Sequence, residues 1–373
     1  MSVIAADFKL SNKKIDAIAN DAEKAAKAIN LLYVQDSQPG IIRRKQGDKF
    51  SYYDGKKILR DKKALDRIAK LVIPPAWEKV WICKQDNGHL QATGIDAKKR
   101  KQYRYHPLWN SLRNQTKFYR LYEFGKAVPH IREQLNKDLS LPGLPVEKVL
   151  ALAVCLMDQT SMRVGNSAYE KLYGSFGLTT LKNRHVKIAG NKMQFIFKGK
   201  KGVSQSVSIT DKRLARIVKQ CREIPGMELF QYYADDSSHK GIDSGMVNSY
   251  IKNIAGQDFT AKDFRTWSGT VHALGEFKDL LTVNNGQADE DNRSDTKKNI
   301  IAVIDSVATH LGNTRAVCRK YYIHPIVFDL YEKSILQKYL AKLKSTRTNK
   351  NAAGLSGEEK LLLTILKKEC LMC

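Results

Sequence analysis

Acidic residues are scarce in this chain. Its 373 residues include 38 Asp and Glu against 64 Lys and Arg, which leaves a formal net charge of +26. Such an excess of one sign destabilises a compact protein unless a polyanion neutralises it. Nucleic acid is therefore the first candidate partner, and an anionic membrane surface is the weaker alternative.

Long apolar runs and secretion signals are also missing. No stretch of the length needed to span a bilayer is apolar throughout, so no membrane-spanning helix is predicted. The N-terminal residues MSVIAADFKLSNKK lack the basic start and apolar core of a signal peptide. The 6 cysteines are dispersed as in a reducing cytosol, and the terminal pair Cys370 and Cys373 is only a weak metal signal. We therefore predict a cytoplasmic protein without a bound metal.

The motifs of nucleotide-dependent and metal-dependent enzymes do not occur. There is no G-x-x-x-x-G-K-[ST] loop, no H-E-x-x-H and no close cluster of Asp, Glu and His. An enzyme of this composition that acts on nucleic acid must use its own side chains as nucleophile, phosphate clamp and general acid. Arg, Lys and Tyr suit those roles.

The hydrophobic pattern changes near residue 107. Before this point, short β-prone runs separated by turn pairs follow a helix predicted over residues 13–34, and a hairpin is predicted from Val80 to Thr93. After it, helical spacing dominates, apart from a β-rich island at residues 184–209 and a polar stretch at 283–299 that is predicted to be a surface loop or a disordered insert.

These patterns predict an α+β fold in three parts. A small strand-rich N-terminal domain with a helical extension covers residues 1–106. A larger, mainly α-helical domain with a small β-sheet covers residues 107–330. Residues 331–373 form a C-terminal tail with one short helix, which a capping box of Ser356 and Glu359 begins.

Four separated stretches carry residues that could bind and cleave a phosphodiester. SMRVGN places Arg163 near the end of a long predicted helix, and FKGKKG places Lys200 on a glycine-rich hairpin tip. DFRTWSG holds Arg265 between aromatic residues, and LGNTRAVCRKYYIHP holds Asn313 and Tyr322. Each stretch alone is ambiguous, because a surface ion pair, a solvated basic turn or a structural arginine in a core would explain it as well.

Together and in this order, the stretches resemble the type IB DNA topoisomerases, in the compact branch found in bacteria and poxviruses. GHLQATGIDAKKRKQYRYHP and GLTTLKNRHV strengthen the resemblance, which runs from about residue 73 to 325. It implies a strand-rich domain and a catalytic domain of the tyrosine recombinase and type IB topoisomerase kind, which close around duplex DNA. It also implies a monomer associated with the bacterial nucleoid.

The resemblance implies a reaction without ATP, metal or other cofactor. A tyrosine attacks one phosphodiester and forms a 3′-phosphotyrosyl bond, which leaves a free 5′-hydroxyl. The broken strand swivels and the hydroxyl attacks back, so supercoiled duplex DNA is relaxed. This reaction agrees with the missing nucleotide and metal motifs.

The family's residue roles carry over to single positions of this chain. Tyr322 matches the nucleophile, Arg163 and Arg265 match the two clamp arginines, and Lys200 matches the general acid for the 5′-oxygen. Asn313 stands where the poxvirus enzymes have histidine. Its amide can donate a hydrogen bond to the phosphate but cannot supply a positive charge.

The two adjacent tyrosines need to be distinguished. Side chains next to each other in a helix diverge by about 100°, so only one of them can face the phosphate. The family motif has its nucleophile directly before IHP, which selects Tyr322 over Tyr321. Tyr321 is predicted to pack against the underlying helix.

Residues predicted to bind DNA lie mostly in KKRKQYRY, residues 98–105, where cations alternate with tyrosines and a glutamine. Others follow Arg163 at helical spacing or belong to the basic rim before the tyrosines. The predicted DNA-binding residues are Lys99, Arg100, Gln102, Tyr103, Tyr105, Asn166, Tyr169 and Lys320.

Two other functions stay open at this level. A tyrosine recombinase shares the chemistry, although its usual H-x-x-R box is replaced by DFRTW around Arg265. A non-enzymatic architectural DNA-binding protein would explain the positive charge, but not the ordered set of Arg, Lys, Arg, Asn and Tyr.

Overall fold

A computed structural model describes residues 18, 21–47, 49–97, 99–234, 236, 238–283, 293–341, 343 and 354–371. The chain divides into two compact units, Met1–Tyr119 and Arg120–Cys373. The division falls within a long helix that begins at Pro107. The domain boundaries after residues 106 and 330 stay predictions.

The first unit is built on a six-stranded antiparallel sheet. Its elements are α1 (Ala22–Ala28), β1 (Ile41–Gln46), β2 (Lys49–Asp54), β3 (Lys57–Ile58), α2 (Lys62–Lys70), β4 (Glu78–Ile82), β5 (Leu90–Ile95) and β6 (Lys101–Tyr105). The strand order is β3-β2-β1-β4-β5-β6, so β6 is an edge strand. The predicted hairpin is confirmed, because β4 pairs with β5 in antiparallel register.

The core of this sheet lies against helix α2. Asp61 caps that helix by accepting a hydrogen bond from the Lys63 amide, and Ile68 of the helix packs against Ile41, Val80, Ile82 and Ala92. The helix predicted over residues 13–34 is confirmed only from Ala22 to Ala28. Residues 1–17 and 19–20 lie outside the described part, and residues 31–34 run as an extended segment beside the β4–β5 turn.

The second unit is mainly helical. Its helices are the long α3 (Pro107–Asp138), which enters from the first unit, α4 (Val146–Thr160), α5 (Ser167–Tyr173), α6 (Lys212–Glu223), α7 (Ser244–Ala255), α8 (Ala261–Val283), α9 (Arg293–Leu311), α10 (Arg315–Tyr321), α11 (Pro325–Glu332), α12 (Leu336–Leu340) and α13 (Gly357–Leu366). Helix α4 lies in the centre, and residues 149–154, 156 and 157 are all buried in one continuous apolar core.

Two small antiparallel sheets complete the second unit. The predicted β-rich island is confirmed as the sheet of β7 (Val186–Ala189), β8 (Lys192–Lys198) and β9 (Ser204–Thr210). Strands β10 (Gln231–Tyr233) and β11 (His239–Gly241) form the other. In the first of these sheets, alternate residues of β8 point into the core, as expected for a half-buried strand.

Two predicted irregular segments turn out differently. The polar stretch at residues 283–299 was expected to be a loop or insert, but helix α9 already begins at Arg293; residues 284–292 lie outside the described part. After residue 330, helix α12 is present in addition to the one short helix that was expected. The capping box of Ser356 and Glu359 is confirmed, and α13 adds buried leucines to the main core. No helix among the described residues is long and apolar enough to cross a membrane.

Candidate active site

Arg163 lies three residues beyond the end of helix α4, not within it as expected. The helix stops at Thr160 because Ser161 adopts a left-handed conformation with φ of 56°. The next residues run beside another backbone segment: the Leu178 amide donates to the Arg163 carbonyl at 2.8 Å, and the Thr179 amide donates to the Val164 carbonyl at 2.7 Å. The main chain at Arg163 and Val164 is therefore fixed to the segment at Leu178 and Thr179.

This close approach requires the glycines of SMRVGN and GLTT. Gly165 has φ of +100°, a conformation that L side chains rarely adopt. A Cβ on Gly177 would come within 2.5 Å of the Gly165 Cα. Any larger residue at either position would push the two segments apart and displace Arg163.

Arg265 is held by backbone carbonyls. It is 5% exposed and lies in the first half of helix α8. Its Nη1 donates to the Ser161 carbonyl, and its Nη2 donates to the Leu311 carbonyl at 2.8 Å. These two bonds connect the ends of α4 and α9 to helix α8.

The aromatic neighbours of Arg265 in sequence belong to the core. Phe264 and Trp267 pack edge-on against Phe124, with ring centroids 5.0 and 6.1 Å apart. The aromatic ring that Arg265 does contact is Tyr322, whose centroid is 5.2 Å from its Cζ. Phe264 and Trp267 therefore form part of the apolar core beside the arginine.

Asn313 meets Arg163 at the end of helix α9. Gly312 turns the chain with φ of +57°. Arg163 Nη2 then donates to the Gly312 carbonyl at 2.8 Å and to Asn313 Oδ1 at 2.5 Å. Because a guanidinium has only donors, this contact fixes the amide with its Nδ2 group turned away from Arg163.

Tyr322 lies just beyond the end of helix α10. The helix ends at Tyr321, and Tyr322 has non-helical φ and ψ of −128° and −10°. Tyr321 is the last residue of the helix and Tyr322 is the first residue after it. The angle of about 100° between adjacent helical side chains therefore does not apply to this pair. Tyr321 is 36% exposed with Lys320 Nζ 5.3 Å from its ring centroid. Its packing against a helix below stays a prediction.

Helix α8 also positions the backbone of Tyr322. A Cβ on Gly269 would lie 2.7 Å from the Tyr322 carbonyl oxygen. Thr270 Oγ1 is 3.3 Å from the same oxygen and accepts a hydrogen bond from the His324 amide at 3.1 Å. Sequence reasoning missed both residues, although Gly269 belongs to the DFRTWSG stretch and Thr270 comes directly after it.

A polar network behind Arg265 was also missed. Ser161 Oγ is 2.6 Å from Ser268 Oγ and 3.2 Å from His310 Nε2. The His310 ring stacks on His272 with centroids 4.4 Å apart. Desolvation, and then the charges of His272 and Arg265, lower the pKa of His310 to about 4. Near neutral pH it is therefore an uncharged hydrogen-bonding partner.

The two arginines form a site of concentrated positive charge. Burial, followed by the charge of Arg265, lowers the pKa of Arg163 to about 10, so Arg163 stays protonated near neutrality. Burial likewise lowers the pKa of Arg265, and its interaction with Tyr322 acts in the opposite direction. Within the described residues, no carboxylate pairs with either arginine, so an anion could bind to both.

Two buried donors at this site are unsatisfied. Among the described residues, Arg265 Nε and Asn313 Nδ2 are the buried side-chain donors without a hydrogen-bond partner. Leaving a buried donor unpaired costs about 1–3 kcal/mol. Both donors belong to residues predicted to bind the phosphate.

Lys200 occupies the predicted hairpin tip between β8 and β9. The turn Lys200–Gly202 is a single 3₁₀ turn with Lys201 at φ of 64°, and the Lys200 side chain is exposed. Gly199 at its base lines a cavity of about 20 Å³ together with Arg163 and Arg265. The hairpin tip therefore begins beside the two arginines.

Two family comparisons and two similar proteins agree with this arrangement. The sequence model described as eukaryotic DNA topoisomerase I, catalytic core, matches residues 98–350, and that of the bacterial DNA topoisomerase IB N-terminal domain matches residues 49–96. DNA topoisomerase 1B of Acanthamoeba polyphaga mimivirus is 34% identical over 299 residues, which cover 79% of this chain and 88% of that protein. DNA topoisomerase I of Monkeypox virus is 26% identical over 259 residues, or 68% and 76% of the two chains.

The chain belongs to the type IB DNA topoisomerases. This confirms the predicted family, the α+β fold class and the enzyme class. It favours the topoisomerase over both the tyrosine recombinase and the non-enzymatic DNA-binding protein. Both relatives come from viruses, and location at a bacterial nucleoid stays a prediction.

The residues of the topoisomerase predicted to bind DNA fall into three groups. Lys99, Arg100 and Gln102 contact carboxylates of their own unit: Lys99 Nζ lies 2.8 Å from Glu78, and Arg100 Nη2 and Gln102 Nε2 lie 2.6 and 3.0 Å from Asp96. These side chains would have to exchange a carboxylate for a phosphate in order to bind DNA.

Tyr103 and Tyr105 form the second group, on the exposed face of edge strand β6. They are 47% and 39% exposed, and their rings stack with centroids 5.9 Å apart. They point to the same face because strand residues two apart share a side of the sheet.

The third group lies in the second unit. Asn166 caps helix α5 through its Oδ1, which accepts from the Ala168 and Tyr169 amides, so it is not on a helix with Arg163. Tyr169 on that short helix is exposed, and so is Lys320 beside Tyr321. Among the described residues, no group of three or more His, Cys, Asp or Glu could hold a metal ion, and Cys373 lies outside them.

Proposed function

We propose that this enzyme relaxes supercoiled duplex DNA by transient cleavage of one strand through a 3′-phosphotyrosyl intermediate. Tyr322 is the nucleophile, Arg163, Arg265 and Asn313 bind the reacting phosphate, and Lys200 is the general acid. The reaction uses neither ATP nor a metal ion. The enzyme acts as a monomer, since all five residues belong to one unit of one chain.

The observation that carries this proposal is the pair of buried, unsatisfied donors on Arg265 and Asn313. Arg265 Nε and Asn313 Nδ2 have no partner among the described residues, and the Arg265 guanidinium lies over the Tyr322 ring. Donors that are already in place before the reaction stabilise developing charge without reorganisation. A pentacoordinate phosphorus with two charged non-bridging oxygens would satisfy both of them.

In the cleavage step, Tyr322 Oη releases its proton to solvent and forms a bond to phosphorus while the bond from phosphorus to the 5′-oxygen breaks. The electron pair of the broken bond stays on the 5′-oxygen, which takes a proton from Lys200 Nζ. The exposed position of Lys200 on its hairpin tip allows it to approach a bound strand. Religation reverses each transfer, and the phosphotyrosyl bond retains the energy of the broken phosphodiester, so no nucleotide is consumed.

Supercoiled plasmid in chelator and without ATP provides the test. Wild-type protein should relax the plasmid and, when the reaction is stopped with detergent, remain covalently attached to a 3′-end. Tyr322→Phe should do neither, because no other hydroxyl takes the place of the lost one. Tyr321→Phe is the matched control and should keep both activities.

The proposal fails if Tyr322→Phe still relaxes plasmid and forms the adduct. If relaxation requires added magnesium, the proposed independence from metal is wrong, but the role of Tyr322 is not affected. Relaxation without exchange of strands between two duplexes, by a species that sediments as a monomer, would support the monomeric enzyme.

A further inference from the structure

A row of aromatic rings extends beyond the predicted DNA-binding strand to Tyr33. Tyr33 stacks on His89 with centroids 4.5 Å apart and planes 12° from parallel. His89 lies 6.1 Å from Tyr105, which stacks on Tyr103. We name Tyr33, His89, Tyr105 and Tyr103 the aromatic row. Tyr33 precedes both matched family regions, which begin at residues 49 and 98.

The backbone around Tyr33 is fixed to the β4–β5 turn. The Leu32 amide donates to the Asn87 carbonyl at 2.9 Å, and the His89 amide donates to the Leu32 carbonyl at 2.8 Å. The Val34 amide donates to His89 Nδ1 at 3.1 Å, which orients the imidazole. Tyr33 is therefore held in place by its neighbours on both sides.

The three tyrosines of the row are partly exposed. His89 is buried, whereas Tyr33 is 40% exposed. Within the described part of the chain, the Tyr33 hydroxyl makes no hydrogen bond. Proteins that hold single strands do so by stacking bases on aromatic faces. Here the inner faces of the tyrosines are covered by other rings, which leaves hydroxyl donors for the backbone or groove of a duplex.

The charges around the row also suit a polyanion. Lys101 Nζ lies 5.7 Å from the Tyr103 ring centroid, and Arg113 Cζ lies 6.0 Å from that of Trp109, which packs edge-on against His89. Burial lowers the pKa of His89, so this ring adds no charge near neutrality. Lys101 pairs with Asp36 at 2.6 Å, so the exposed Arg113 carries the positive charge beside the row.

We propose that Tyr33 is a further duplex-contacting residue of this enzyme, donating its hydroxyl to the DNA backbone or a groove acceptor. The segment before the family's N-terminal domain thus enlarges the DNA-binding surface of the first unit. The proposal rests on the proposed function only in that duplex DNA is the ligand, because it concerns binding and not cleavage.

The test measures equilibrium binding in a Tyr322→Phe background, where no cleavage occurs. Tyr33→Phe keeps the ring and its stacking on His89 but removes the hydroxyl. Its affinity for a fluorescent duplex should fall about tenfold, as expected for the loss of one hydrogen bond to a charged acceptor. Its affinity for the matching single strand and its dependence on salt should stay unchanged, since no cation is lost.

Tyr233→Phe is the matched control, because Tyr233 is 50% exposed on strand β10 of the second unit. It should bind duplex like the parent. Equal duplex affinity of Tyr33→Phe and the parent would overturn the proposal, and so would equal losses for duplex and single strand. Thermal melting of the Tyr33→Phe protein at the parental temperature shows that a loss of affinity is not a loss of fold. Failure of the cleavage mechanism would instead appear as nicking by the Tyr322→Phe protein.

Discussion

The cations of the catalytic centre and those of the N-terminal sheet are held in opposite ways. Arg163 and Arg265 bond to backbone carbonyls and an amide oxygen, and no carboxylate among the described residues neutralises them. Lys99, Arg100 and Lys101 each pair with a carboxylate at 2.8 Å or less. The proposed centre thus holds two cations that a phosphate could bind directly, whereas the cations of the sheet would have to exchange one anion for another in order to bind DNA.

The difference separates catalysis from binding in physical terms. A charge buried among neutral acceptors is worth more to a transition state than one in water, because the local dielectric is lower. Exposed pairs on the sheet surface contribute little to stability and are screened by salt. Changes in the centre should therefore affect the rate of cleavage, and changes on the sheet should affect affinity and its dependence on salt.

Arg265→Lys should have the largest effect on the rate of cleavage. Lysine keeps the positive charge but cannot reach the Ser161 and Leu311 carbonyls while also presenting a donor in the Nε position. The rate of covalent adduct formation in a single turnover should fall about 10²–10³-fold. Duplex affinity should stay within about threefold, because the charge number is unchanged.

Arg222→Lys provides the matched control for this change, because Arg222 is exposed on helix α6. It should cleave at the parental rate. A large loss of duplex affinity in Arg265→Lys, with a normal rate in the bound complex, would show that Arg265 acts in binding and would contradict the comparison.

Gly269→Ala should have the next largest effect. Its Cβ would lie 2.7 Å from the Tyr322 carbonyl oxygen, so Tyr322, the proposed nucleophile, must shift. A displacement of about 1 Å at a reacting group can cost about 100-fold in rate. We expect adduct formation to slow about 10–100-fold with unchanged duplex affinity, as measured in the same single-turnover assay.

The same helix offers a close control. Gly275→Ala adds a Cβ that meets nothing within 4 Å, and it should raise helix stability by up to about 1 kcal/mol with no loss of rate. Equal rates for the two alanine variants would mean that the contact between helix α8 and the Tyr322 backbone does not position the nucleophile.

The sequence predicted the candidate catalytic residues better than the structure around them. Arg163, Arg265, Asn313 and Tyr322 come together as expected from their order in the motifs. The prediction that Arg163 and Tyr322 lie on helices was wrong, because each residue comes just after the end of a helix. The sequence gives no sign of these helix ends. A single left-handed residue such as Ser161 ends a helix without a glycine or proline to mark it.

The supporting contacts could not be predicted at all. Ser161, just after helix α4, meets Ser268 of α8 and His310 of α9, and each pair is more than 40 residues apart in sequence. Ser161 and Ser268 belong to the SMRVGN and DFRTWSG stretches, but neither stretch indicates that their hydroxyl groups meet. The cations of KKRKQYRY could be predicted to form a basic surface. Their carboxylate partners Glu78 and Asp96 could not be predicted, because a surface ion pair depends on which residues the fold brings together.

Glu78→Gln should have the smallest effect of the three changes. It tests whether an ion pair on the N-terminal sheet limits the binding of DNA. The ion pair between Glu78 and Lys99 is exposed, and Lys99 lowers the pKa of Glu78 through a hydrogen bond and its charge. If Lys99 binds DNA, it must first leave this carboxylate. Removing the negative charge should therefore strengthen duplex binding about threefold at low salt and steepen the salt dependence by at most about one phosphate contact.

Glu133→Gln is a matched control, because Glu133 forms a similar exposed pair with Lys137 on helix α3, outside the predicted DNA-binding residues. Titration of a labelled duplex at several salt concentrations would compare the two variants. If both raise affinity equally, the effect is only one of net charge, and Lys99 has no particular contact with DNA. If only Glu78→Gln does so, the sheet cations are neutralised in the free enzyme and become available when a phosphate replaces their carboxylates.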